Sequence, residues 1–250
     1  MKRNLSRRAG SAGVTLMELL ISVSLMSLLA VGIMISFRVG LSAMNKSEAK
    51  LGANRRVTSV ARILEEEIAD VMPVTAECQS PPDAPPARIA FFQGEPESMR
   101  LVSSYSLQQA GRGIPMILEF QVIPGEENRG VRLVVNEHPY TGPRSAGQFC
   151  LGVFPDPDTG APLPRFAPIQ IGAASFVLAD RLASCRFIYQ DYPPPPAPQR
   201  WLDAWVKPLL PNAIRVEMTP LDPDPSRLEP VTLTIPIRVT RHALEEYANY

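Results

Sequence analysis

The 250-residue chain has little of what enzymes use: two histidines and three cysteines. His138 beside Pro139 and His242 near the end form no ligand pair at helical spacing, and no CxxC occurs, so a zinc site has no support. GxSxG and phosphate-binding glycine loops are absent as well. Basic and acidic residues balance at 25 each, so the strongly basic surface that nucleic acid requires is missing. Asp156, Asp158, Asp222 and Asp224 alternate as in some calcium loops. They are interleaved with proline and lack the glycine and glutamate of an EF-hand, which makes them solvated loop residues. No internal repeat occurs. The expectation is a protein that is not an enzyme and that uses no metal and no cofactor.

Two further absences are informative. Residues 14–72 contain no proline, and residues 14–37 contain no charge except Glu18. A run of 24 such residues exceeds the roughly 20 that a helix needs to cross a bilayer. The preceding residues 1–13 carry Lys2, Arg3, Arg7 and Arg8 and no acid, which keeps them on the cytoplasmic side and sends the remainder outward. A secretory signal peptide has a shorter apolar core with its small-residue cleavage site after it, whereas here the glycine precedes the run. A plain anchor for an unrelated periplasmic binding module fits the length but leaves Glu18 unexplained. A carboxylate inside a membrane helix costs about 2.5–3.5 kcal/mol on insertion scales, so it demands a partner.

Without proline, one helix over residues 14–72 is allowed, with bending or melting expected at Gly32, Gly40 and Gly52. Its first part, residues 14–37, is apolar all round. In residues 38–72 Val57, Val60, Ala61, Leu64, Ile68 and Val71 form one stripe of an amphipathic helix. Residues 73–250 form a β-rich domain. Strands are predicted over 88–93, 99–106, 116–123, 131–136, 149–154, 175–178, 183–191, 213–219 and 231–240, with a hairpin loop at 124–130. Pro236 lacks an amide donor and places the last strand at an edge or a bulge. The proline-rich stretches 155–168 and 193–198 read as surface loops, and 242–249 as a short closing helix. A helix followed by strands predicts an α+β domain whose antiparallel sheet packs on the helix stripe. Of the three cysteines, Cys185 shares a strand face with Phe187 and Tyr189, so it belongs to the core; the expected disulfide is Cys78 to Cys150.

The sequence Ala12-Gly13-Val14-Thr15-Leu16-Met17-Glu18-Leu19-Leu20-Ile21 behind a basic leader resembles the class III signal of type IV pilins and type II secretion pseudopilins. The resemblance implies a pilin-like fold and cleavage between Gly13 and Val14 by a prepilin peptidase, with N-methylation of Val14, which stands where phenylalanine is usual. It makes Glu18 the assembly residue, whose carboxylate meets the terminal ammonium of a neighbouring subunit. Loss of residues 1–13 would leave 21 basic residues against 25 acidic ones.

In the C-terminal half, residues 187–191, Trp201, Trp205 and residues 210–218 are similar to the J-type minor pseudopilins, as are Arg100-Leu101-Val102 and Tyr105. The likeness runs over residues 12–72 and 99–240. The insertion at 193–199 and the long stretch from Pro155 depart from it. Trp201 and Trp205 either cap the sheet core or anchor a partner. What this implies is a structural component of a pseudopilus tip at the inner membrane, single-pass, with its C-terminal domain in the periplasm. Its implied partners are I- and K-type minor pseudopilins and the major pseudopilin, with no nucleic acid. A minor pilin of a type IV pilus has the same helix and signal.

Overall fold

The computed structural model describes residues 14–79, 85–106, 111–155, 160, 162–193, 196–221, 231–239 and 243–244, apart from the side chains of 43, 45–58, 162 and 231. The chain divides into two compact units, residues 1–52 and 53–250, and helix α1 (Leu16–Ala69) contributes to both. Gly32, Gly40 and Gly52 all lie within helix, so the melting expected there does not occur. The helix ends three residues before the expected boundary: Asp70 turns, and Val71 bridges to Ser103.

In the first unit the described part is helix alone. Leu16–Ser42 is long and apolar enough to cross a membrane, and none of it is buried by the rest of the chain. Ser22, Ser24 and Ser27 donate their hydroxyls to the carbonyls of Glu18, Leu20 and Val23 at 2.7–2.8 Å. That satisfies these three hydroxyls within the helix, as an apolar surrounding favours.

The second unit is α+β and pilin-like, with a large curled antiparallel sheet. After α1 come β1 (Thr75–Cys78), β2 (Ala87–Ala90), β3 (Gln93–Gly94), β4 (Ser98–Ser106), β5 (Gly111–Pro124) and β6 (Val131–Pro139). Then follow α2 (Pro143–Gly147), β7 (Cys150–Pro155), β8 (Pro162–Phe166), β9 (Phe176–Asp191), β10 (Arg200–Leu202), β11 (Ala213–Pro220) and β12 (Val231–Pro236). The main sheet runs β12-β11-β9-β6-β5-β4-β3, with β10 added on β9. Its curl brings the β3 end back to β9 and β10: Gly94 bridges to Trp205, and the Phe187 amide donates to the Pro96 carbonyl at 2.9 Å. Only a glycine fits there, because a Cβ on Gly94 would stand 2.8 Å from both Trp205 Cβ and Tyr189 Cζ.

Strand alternation gives the sheet two buried faces. The inner face carries Met99, Leu101, Leu118, Phe120, Leu133, Val135, Phe187, Tyr189, Ile214 and Val216, and it receives the α1 stripe through Leu64 and Ile68, with Val60 packed beside them and Val71 just past the helix end. Full burial of residues such as Leu64 and Ile68 stabilises by about 1.5–3 kcal/mol each, which is what holds an otherwise marginal helix segment in place. Cys185 belongs to this core. The outer face of β4 and β5 is covered by a smaller layer in which Val102 and Ile117 pack with Ala76, Phe91 and Ala146. That layer consists of the β1–β2 hairpin, α2 and the β7–β8 hairpin, and the Cys78–Cys150 disulfide ties β1 to β7.

Several boundaries differ from expectation. Residues 155–168 are no plain loop: Pro162–Phe166 pairs with Cys150–Pro155 as a two-stranded ribbon. Each strand of such a ribbon is an edge, where proline's missing amide costs nothing. The strands expected at 175–178 and 183–191 are one 16-residue strand, β9, bent at Arg181, whose φ of 55° accompanies a register shift. The strand expected to reach 240 stops at Pro236, at the edge of the sheet. β1, α2 and β10 were not foreseen. The closing helix at 242–249 lies outside the described residues except for a turn at 243–244.

Candidate processing and assembly site

The start of α1 is organised by Thr15. Its Oγ1 accepts the Glu18 amide at 3.3 Å and its carbonyl accepts the Glu18 and Leu19 amides at 3.1 Å. Thr15 is therefore the N-cap and Glu18 the third residue of the first turn, the Thr-x-x-Glu spacing of a capping box. A carboxylate there also meets the positive end of the helix dipole. Val14 immediately precedes the cap. Gly13 and the leader lie outside the described residues, as do Asp156, Asp158, Asp222, Asp224 and His242.

Eighteen residues further along, Gly32, Ser36 and Gly40 fall at intervals of four and line one concave face together with Leu28, Leu29 and Phe37. A Cβ on Gly32 or Gly40 would meet nothing within 4 Å, so no packing among the described residues uses these glycines. Each costs about 1 kcal/mol of helix propensity relative to alanine. Small residues at this spacing let membrane helices approach closely.

The two tryptophans part company. Trp205 is 5% exposed, sits in the inner core, donates its indole N–H to the Leu209 carbonyl and links β3 through its amide to Gly94. Trp201 is half-buried on β10 opposite Gln190, and the Arg215 guanidinium stacks 3.9 Å from its ring centroid. Of the pair, Trp201 has surface to offer a partner. Nearby, Asp191 is held by Lys207 at 2.6 Å and Arg200 at 2.9 Å. The Lys207 hydrogen bond, opposed by desolvation and aided by Arg200, lowers the Asp191 carboxyl below its ordinary range.

Sequence reasoning missed a polar row across the outer face. Gln93, Arg100, Glu119 and Asn136 are direct cross-strand partners on β3, β4, β5 and β6. Arg100 Nη1 donates to Gln93 Oε1 at 2.5 Å and Nε to Glu119 Oε1 at 2.6 Å. Glu119 Oε2 accepts from Asn136 at 3.0 Å and lies 3.2 Å from His138 Nε2, whose ring packs on Phe149. The signal was present as one polar residue at the same register position of successive strands, but it becomes visible only once the register is known. Its members satisfy one another beneath the disulfide-tied layer, which makes the row structural. Among the described residues, no three His, Cys, Asp or Glu side chains are placed to hold a metal ion. No protein-family model and no curated protein sequence matches this chain.

Proposed function

We propose that the chain is a minor pseudopilin of the J type, a structural component of the pseudopilus tip that starts or caps the filament of a type II secretion system. The observation that carries this reading is Glu18 in the first turn of an otherwise uncharged helix start, five residues after Gly13, in a chain that also seats its helix stripe in an antiparallel sheet. In this reading prepilin peptidase cuts after Gly13 and Val14 is methylated. The apolar helix holds the protein in the inner membrane with the β-rich domain in the periplasm. Two charges too costly to leave apart in lipid, the Glu18 carboxylate and a neighbour's terminal ammonium, then meet when a subunit joins. The open face at Gly32, Ser36 and Gly40 supports close helix packing in the same step. The partners are I- and K-type minor pseudopilins and the major pseudopilin, and no catalysis is involved.

The test is affinity capture of the full chain from detergent-solubilised membranes of its own cells, with bound proteins identified by mass spectrometry. Two other proteins bearing the same signal, encoded with a secretion ATPase, are the expected result. Recovery with pilus biogenesis proteins would move the assignment to a minor pilin of a type IV pilus. An uncut chain that brings down no such protein would return it to a membrane-anchored binding module.

A further inference from the structure

Among the described residues of the second unit, one fully buried carboxyl is left without a hydrogen-bond partner. Glu67 lies on the buried face of α1, flanking Leu64 on the side away from Ile68, is 0% exposed, and among the described residues neither of its carboxylate oxygens has a hydrogen-bond partner. Buried polar groups are almost always bonded, so such a pair of oxygens in the seat of a helix calls for a reason. Among the described residues, the charged group that acts on it is another acid. From β6 comes Glu137, whose carboxylate accepts from Ser106 Oγ of β4 at 3.3 Å. β4 also brings Tyr105, whose hydroxyl is pushed up by Glu66 first and by Glu67 among the lesser causes, with Arg62 opposing. On α1 itself Glu66 is paired with Arg62, and just past its end Asp70 is paired with Arg112 of β5.

We propose that Glu67 is a proton-operated latch on the seat of α1: protonated, it rests buried beside the Leu64 and Ile68 stripe, and ionised, it drives the last turns of the helix off the sheet. The step is a simple acid dissociation in which the carboxyl O–H breaks and the proton passes to water. Burial first, then repulsion by Glu137, pushes the group from its ordinary 4.5 up to about 9. In the undocked segment the carboxyl recovers its ordinary value, so docking takes up a proton. The seat is then firmest below the ordinary carboxyl value and weakens as pH rises toward about 9. Asp70 and Arg112 hold the end of the helix from outside, so the segment has a tether while it moves. The latch is a property of the second unit and goes beyond the filament reading.

The test is hydrogen exchange on the full chain in detergent micelles between pH 5.5 and 9, with protection at residues 60–69 corrected for the pH dependence of chemical exchange. In the natural protein, protection there should fall by up to about tenfold per pH unit, the slope of one linked proton. In Glu67→Gln it should stay level, and in Glu137→Gln the total loss should shrink. Amides of β9 and β11 should hold their protection throughout. A level profile in the natural protein, an equal slope in Glu67→Gln, or a fall shared equally by β9 and β11 would each overturn the latch. Carbon-13 detection of the Glu67 carboxyl gives an independent readout that needs no variant: ionisation complete below pH 6 would overturn it as well.

Discussion

Arg100 on β4 and Glu119 on β5 face each other across the outer side of the sheet, with Nε 2.6 Å from Oε1 and side chains only 1% and 4% exposed. The Arg100 guanidinium also lies 5.6 and 5.8 Å from the Phe149 and Phe166 ring centroids, so the covering layer rests directly on this pair. A buried pair is costly to break because the survivor keeps its charge without compensation. Glu119→Ala is expected to lower unfolding stability by about 3–5 kcal/mol, whereas Arg100→Leu with Glu119→Leu should lose far less. Denaturant titration of the three proteins checks this.

The covering layer depends on a covalent tie. Cys78 and Cys150 are 72 residues apart in sequence and join β1 to β7. Beside them α2 packs so closely on β1 that a Cβ on Gly147 would stand 2.1 Å from the Glu77 carbonyl oxygen. Closing a loop of that length stabilises by roughly 2–5 kcal/mol. Paired Cys78→Ser and Cys150→Ser substitutions should reduce stability by that amount. They should also raise hydrogen exchange at Ala76 and Ala146 before it rises at Phe187 and Val216 of the inner core. Equal loss of protection in both places would contradict two separately packed layers.

Asp191 gives the protein a dependence on acid. Its carboxyl is held below the ordinary range by Lys207 first and Arg200 after it. A depressed folded value means that the contribution is complete above the unfolded value of about 3.9 and disappears as pH falls through the folded one. Asp191→Asn should therefore be less stable than the natural protein at pH 6, and the difference should close as pH falls below 3. A difference that stays constant over this range would show that the Asp191 charge is not what matters.

The elements that sequence made legible are those with long periodic patterns. The α1 stripe through Leu64 and Ile68, the inward set Cys185, Phe187 and Tyr189, and the edge position of Pro236 all follow from periods of 3.6 or 2 and from proline's missing donor. What escaped was set by pairing. Pro162–Phe166 carries two prolines in five residues and is a strand only because Cys150–Pro155 lies beside it. The Arg100 row is invisible until four strands are placed in register, and Glu67 reads as one more acid on a charged helix until the sheet closes over it. Gly32 and Gly40 were expected to weaken the helix, yet they leave open space along an intact one.

On the function proposed above, Glu18 has two physical roles that a pair of substitutions separates. As the third residue of α1 it suits the helix dipole and the Thr15 cap, a local effect available to any monomer. As a carboxylate in an apolar helix long enough to cross a membrane it calls for a cation, which on the proposed function a neighbouring chain brings. Thr15→Ala removes the cap and is expected to cost about 0.5–2 kcal/mol of local helix stability while leaving assembly intact. Glu18→Ala should leave cleavage after Gly13 unchanged, seen as the normal shift on a gel, yet abolish co-purification with other signal-bearing subunits. A bulky residue in place of Gly13 should do the reverse in order, blocking the cut and with it every later step. If Thr15→Ala and Glu18→Ala weaken co-purification equally, Glu18 acts through its own helix, and the intersubunit pairing is wrong.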